Sequence, residues 1–256
     1  MLEIKKYIDF KTNVNCLSEH TLLQYKQVLS DLEKVNFDYV KFAKQIEGCQ
    51  RNSKRVYLTI VKNFYKFNKD SREKMVELPR KESKVNPYIT YDEYLLLRNV
   101  FFHKAPTKFN LLKTLIIRLS FETGVRSFEL LNIPLENVKE NCILINGKGN
   151  KQRNVYLSDD LRAFIDKYRE VWGPQKNLIE ISYQALSSIL KRMGAKYLNG
   201  KHLSSHMFRR GYATHFMSKF NNISALSRSM GHSNISTTMS YVCAVDYSHE
   251  MANIVE

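Results

Sequence analysis

His206-Met207-Phe208-Arg209, Gly231-His232 and Thr237-Thr238-Met239-Ser240-Tyr241 fall within one tract near the C-terminus. A histidine and an arginine stand there at i, i+3, and a tyrosine follows the second histidine by nine positions. Working outward, Thr123-Gly124-Val125-Arg126-Ser127-Phe128-Glu129-Leu130 supplies another isolated arginine. Between the two regions, Gly147-Lys148-Gly149-Asn150-Lys151 reads as a hairpin tip carrying a lysine. Two arginines, two histidines, a lysine and a tyrosine are what a phosphodiester requires if a tyrosine is to attack it without a metal. The diester is anionic, and attack adds charge to its non-bridging oxygens. Preorganised cations stabilise that charge, each such donor contributing about 3 kcal/mol. Arginine suits the task because its planar fork grips two oxygens and stays charged. A phenol, with a pKa of about 10, needs a group that takes its proton.

These motifs resemble the tyrosine recombinase (phage-integrase-like) family, near the Xer-type members in size. T-G-x-R-x-x-E-L matches Thr123 to Leu130, and G-K-G-N-K-x-R matches Gly147 to Arg153. H-x-x-R matches His206 to Arg209, and G-H before T-T-x-x-Y matches Gly231 to Tyr241. One departure stands out: many members carry histidine directly after the second arginine, where this chain has Arg210. The resemblance implies that Arg126 and Arg209 hold the phosphate and Tyr241 attacks it, giving a 3′-phosphotyrosine and a free 5′-hydroxyl. It implies Lys148 as the acid for the 5′-oxygen. His206 is placed to exchange the tyrosine proton, its pKa lying near neutrality. His232 is expected to donate to the phosphate. Glu129, three residues after Arg126, is expected to orient it from behind.

The composition agrees with a polyanionic partner. Against 25 acidic residues stand 40 basic ones, a formal charge of +15. Residues 1–86 carry +7 and residues 87–256 carry +8, so both halves are expected to touch nucleic acid, which the resemblance implies is double-stranded DNA. The four cysteines, Cys16, Cys49, Cys142 and Cys243, form neither a disulfide framework nor a zinc-binding pattern. No apolar run reaches membrane-spanning length, and the N-terminus lacks the apolar core of a signal peptide, so a cytoplasmic protein is expected. No metal ligand set is recognisable, and no cofactor is expected. His20, His103, His202, His215 and His249 read as structural.

The expected fold is mainly α with a small antiparallel sheet: an N-terminal helical core-binding domain and a tyrosine-recombinase catalytic domain. Residues 1–75 form the first and 76–89 the linker, where Pro79 and Pro87 stand among basic residues. Residues 90–241 form the catalytic domain, and 242–256 a tail that docks on a neighbouring protomer. In the first domain, Ser18 is expected to cap a helix, a second helix fits Asp38 to Ile46, and a third runs from about Asn52 to Phe67. The third carries Lys54, Arg55, Lys62 and Lys66 as a cationic stripe suited to tracking a DNA backbone. Thr90 and Glu93 form a capping box that opens the second domain. There, helices are expected at Leu111–Glu122, Ser127–Ile133, Ser158–Trp172, Ser182–Met193, Ser205–Ser218, Ile223–Met230 and Ile235–Tyr241. Strands are expected at Cys142–Asn146 and Arg153–Leu157. Lys151, Arg153 and Arg210 are further expected DNA contacts.

Three activities fit this pattern. The first is site-specific recombination by a homotetramer on two DNA sites, or by a heterotetramer with a paralogue. Related chemistry would serve a type IB topoisomerase, and the same scaffold would serve a non-catalytic DNA-binding protein. The helical domain lying first and the compact hairpin motif favour recombination, and the short N-terminus, lacking an extra arm-binding domain, is expected to favour simple core sites over a large integrase assembly. The sequence leaves open the target site and the choice between dimer resolution, integration and inversion.

Overall fold

The computed structural model describes residues 3–15, 17, 19–82, 86–102, 104–147, 151–232 and 234–242; of residues 20, 102 and 240–242 it describes the backbone alone. The chain forms two compact units, Met1–Lys84 and Val85–Glu256. Fold and pattern agree: helices dominate and one two-stranded antiparallel sheet accompanies them.

The first unit holds α1 (Ile4–Asn13), α2 (Glu19–Lys34), α3 (Tyr39–Gln45) and α4 (Arg51–Phe67). α4 buries Leu58, Ile60, Val61, Phe64 and Tyr65, a 3–4 spacing that turns one face inward. Asp38 caps α3 through its carboxylate, which accepts from the amides of Val40 and Lys41. α1 is an element that sequence pattern did not single out. Glu3 gives it no side-chain cap, and only Tyr7 and Ile8 are buried. The Ser18 cap expected for α2 lies outside the described residues. After α4, a 3₁₀ turn at Ser71–Met75 is capped by Asp70. Val76 is buried in this unit's core and Leu78 packs on it, so the packing continues past residue 75.

The second unit begins with α5 (Tyr91–Phe102), where Thr90 and Glu93 make the reciprocal bonds of the capping box. α6 (Lys108–Glu122) is buried almost throughout. Its end at Thr123-Gly124 turns sharply: Gly124 has φ 61°, and the Tyr212 ring occupies the space a Cβ would need. α7 (Ser127–Leu131) follows, with Arg126 at its N-cap. β1 (Cys142–Asn146) pairs with β2 (Gln152–Tyr156), Asn146 opposite Gln152. The Gly147 amide donates to the Lys151 carbonyl at 2.7 Å and closes the hairpin. α8 (Asp159–Trp172) is capped by Ser158 and α9 (Tyr183–Tyr197) by Ser182. α10 (Ser205–Phe220), α11 (Ile223–Met230) and α12 (Ile235–Val242) complete the unit, and α12 packs on both α10 and α11. Its main core runs from Ile89 to Phe208, and a smaller cluster of Ala213, Met217, Leu226 and Met230 joins α10 to α11.

Among the described residues no helix is long and apolar enough to cross a membrane. No group of three or more His, Cys, Asp or Glu side chains among them is placed to hold a metal ion.

Candidate active site

α10 carries His206 and Arg209 one turn apart, so both project from the same side of that helix. Arg209 is 2% exposed. Its Nη1 donates to the Gly124 carbonyl, and its Nη2 donates to the Met230 carbonyl at 2.7 Å. The same Nη2 lies 2.9 Å from His232 Nε2. One guanidinium thus joins the end of α6, the end of α11 and the turn that follows it.

Arg126 stands at the edge of the site, its side chain 34% exposed. Its backbone amide and its Nη1 both donate to the Glu129 carboxylate, each at 2.8 Å. Glu129 is buried. Burial opposes its ionisation, yet hydrogen bonds from Arg153 and from the Arg126 backbone and side chain outweigh it and hold the carboxyl down at about 2. Glu129 is therefore a fixed anion at neutral pH, backing Arg126 while the outer part of that guanidinium faces solvent.

His232 follows Gly231, the left-handed cap of α11 at φ 64°. Its Nδ1 lies 2.8 Å from the hydroxyl of Thr238, which is fully buried in α12. Desolvation, then the charges of Arg209, Arg126 and Arg153, push this imidazole down to about 4. His206 is lowered for similar reasons: desolvation first, then Arg210, Arg209 and Arg126. Both shifts favour the neutral ring.

An open cleft of about 500 Å³ is lined by Arg126, Lys151, Arg153 and His232, with Gly147 and Thr237 at its rim. Lys151 is exposed there. Lys148 lies outside the described residues. Tyr241 occupies the last turn of α12, the helix that also carries Thr238 against His232.

The remaining residues expected at DNA are placed differently from one another. Arg153 is a mostly buried side chain, 10% exposed, whose Nη1 and Nη2 fork the Glu129 carboxylate at 3.0 and 2.7 Å. Its Nε donates to the Ser229 carbonyl at 2.9 Å. Arg55 donates to the Pro79 carbonyl, and Lys62 to that of Val76 at 3.2 Å. Arg210 donates to the Pro87 carbonyl at 2.9 Å. These four cations satisfy the protein's own acceptors. Lys54 and Lys66 make no side-chain hydrogen bond among the described residues, and Lys66 is exposed.

Sequence pattern passed over Tyr212 and Ser229, and it quoted Thr238 in the T-T-x-x-Y motif without assigning it a role. Tyr212 supports the Gly124 turn and bonds through its hydroxyl to Ser229 Oγ at 2.6 Å. Ser229 also offers its carbonyl to Arg153, and Thr238 fixes the His232 ring. Tyr212 lies one helical turn after Arg209, a spacing that signals proximity. Nothing local marks Ser229.

Two guanidiniums and two imidazoles thus gather beside a basic cleft. Comparison with known proteins supplies the family. Residues 88–247 match the phage integrase family, and the chain belongs to that family; it is a tyrosine recombinase. It is 26% identical to tyrosine recombinase XerD of Staphylococcus epidermidis, across 93% of this chain and 92% of the relative. Over 49% of this chain it is 37% identical to tyrosine recombinase XerC of Caldanaerobacter subterraneus subsp. tengcongensis, covering 39% of that protein. Among solved structures, XerH recombinase on its difH substrate after cleavage superposes with a TM-score of 0.75 at 18% identity, over 98% of this chain and 83% of the other. A lambda integrase tetramer on a Holliday junction superposes at 0.69 with 14% identity, over 92% and 76%. At these identities the superpositions establish a common fold.

Proposed function

We propose that this chain cleaves and rejoins DNA at specific sites through a 3′-phosphotyrosine formed on Tyr241. The carrying observation is that Arg126, Arg209 and His232 meet at the end of α11, and α12, which leads directly to Tyr241, is pinned to His232 through Thr238. The phenol oxygen attacks phosphorus and the bond to the 5′-oxygen breaks. His206, whose shift favours the neutral ring, accepts the phenol proton. Lys148 delivers a proton to the departing 5′-oxygen. Arg126 and Arg209 stabilise the charge that grows on the non-bridging oxygens. The link conserves the bond energy, so attack by a 5′-hydroxyl reverses the step and returns the phenol without ATP.

The helical unit would then act as the core-binding domain, residues 76–89 as the linker and 90–241 as the catalytic domain. Recombination between two duplexes calls for four protomers, and the tail 242–256 is proposed to reach a neighbour. The reaction is proposed to take place in the cytoplasm.

The test is covalent capture. Wild-type protein is mixed with sheared DNA of its own host, denatured, and the adducts are purified and sequenced. One recurrent sequence joined through a 3′-phosphate is expected, and Tyr241→Phe should bind that duplex with wild-type affinity yet give no adduct. An adduct that survives denaturation in the Phe variant would move the nucleophile elsewhere. Relaxation of plasmid without exchange between two sites would favour the topoisomerase reading.

A further inference from the structure

Three backbone carbonyls close α11: those of Ser229, Met230 and Gly231. Each accepts from a different guanidinium. Arg153 takes the first at 2.9 Å, Arg209 the second at 2.7 Å and Arg126 the third at 3.4 Å. The end of a helix leaves such carbonyls without partners and concentrates about half a negative charge there. The C-terminus of α11 is thus a natural seat for cations, and the residue that follows it is His232.

All three guanidiniums donate to protein acceptors: Arg209 does so from a buried position, whereas Arg126 and Arg153 both line the cleft. Arg153 spends Nε, Nη1 and Nη2 on protein acceptors and is 10% exposed. Its fork holds the same carboxylate that holds Arg126. It also lies under the turn: a Cβ on Gly231 would stand 3.0 Å from its Nη1. Arg153 is therefore the tie between two groups on separate elements, Arg126 at the start of α7 and His232 after α11.

We propose that Arg153 is a positioning residue, which sets the distance between Arg126 and His232 instead of gripping DNA. The proposal rests on the reading above that those two residues act on the scissile phosphate. Lysine cannot reproduce the tie, because one ammonium cannot fork a carboxylate and reach a carbonyl in the same plane.

The experiment uses the full chain and a nicked duplex carrying the captured site, comparing wild type, R153K, R153A, R126A and R126A/R153A. DNA affinity and its salt dependence should stay within about twofold of wild type in R153K, since the charge that steers DNA is kept. Single-turnover adduct formation should fall by about tenfold or more in R153K, and further in R153A, as expected when a fixed geometry slips. The double variant should cleave no more than about threefold slower than R126A, because both changes disable one unit. In the DNA-free protein, NMR titration of His232 should give a shifted midpoint in R153K although the charge at position 153 is unchanged. Should R153A fail to fold, R153K, the R126A/R153K double variant and the titration decide the matter.

Wild-type cleavage in R153K would overturn the proposal. So would additive losses in the double variant, or a weakened affinity with a salt slope reduced by about one phosphate contact, which lysine restores. If wild type itself forms no adduct, the recombinase reading fails, and an unshifted His232 titration in R153K would separately refute the tie.

Discussion

Nη2 of Arg209 lies 2.9 Å from Nε2 of His232, and a guanidinium has no lone pair to offer. The imidazole must therefore present Nε2 unprotonated, and its proton sits on Nδ1, donated to Thr238 Oγ1. This fixes the tautomer of the DNA-free site. With Nδ1 committed to Thr238, Nε2 is the nitrogen left to meet a phosphate, and here it accepts from Arg209. For His232 to donate to a phosphate from Nε2, the Arg209 contact has to give way and Nε2 has to take a proton from solvent.

His232 should accordingly titrate far below an ordinary histidine. Its midpoint is about 4, set by desolvation and then by Arg209, Arg126 and Arg153. Nitrogen shifts at pH 7 should report a neutral ring protonated on Nδ1. The sign for stability follows. Because the folded value lies below the unfolded one, protonation favours the unfolded chain. This contribution is intact above about pH 6.5 and is lost progressively as pH falls toward 4. A midpoint near 6.5 in the DNA-free protein would contradict the Arg209 contact.

Glu129→Gln should unsettle more than Arg126. The carboxylate is buried and forked by one arginine while backing another, so loss of its charge leaves two cations poorly compensated. A cost of about 3 kcal/mol is expected, the scale for breaking a buried pair. The sign is that of a depressed carboxylate: its stabilisation is complete above about pH 4.5 and fades as pH falls toward 2. Chemical denaturation of wild type and variant across that range should converge at the acid end. A constant gap between the two curves would exclude an electrostatic origin.

Arg126→Ala and Arg209→Ala should separate chemistry from stability. Both are expected to slow adduct formation by about a hundredfold or more, since each removes a preorganised donor. Arg126 is one-third exposed, and Glu129 keeps Arg153 when it goes. Its variant should melt close to wild type. Arg209 is 2% exposed and satisfies the carbonyls of Gly124 and Met230. Its variant leaves buried acceptors unpaired, at roughly 1–3 kcal/mol each. Equal melting temperatures in the two variants would refute this division.

The helices with strong local signals were legible: Thr90 and Glu93, Ser158 and Ser182 each cap where the sequence placed a start. The glycine-lysine hairpin was legible too, because turn chemistry and strand alternation coincide around Gly147 and Lys151. α1 was not, since it lacks a side-chain cap and depends on Tyr7 packing against Phe64 and Phe67. Among site residues, charge identified the cations but not their targets. Arg153 and Lys62 look alike as exposed cations in sequence. Only the tertiary fold brings Glu129 and Ser229 to one, and the Val76 carbonyl to the other.

The stripe on α4 should divide by the same criterion. Arg55 and Lys62 donate to Pro79 and Val76, the start of the segment that leaves the first unit. Lys54 and Lys66 have no such acceptor among the described residues. Every phosphate that a cation ceases to neutralise lowers the slope of log affinity against log salt by about 0.9. Lys66→Ala should therefore weaken DNA binding and flatten the slope by about that amount, and Lys54→Ala should act in the same direction. Lys62→Ala should leave the slope within error, because its ammonium already serves a protein carbonyl. Its effect should appear instead as faster amide exchange at Val76 and quicker proteolysis near Pro79. Equal slope changes for Lys62 and Lys66 would show that DNA recruits the whole stripe and that the carbonyl contacts yield on binding.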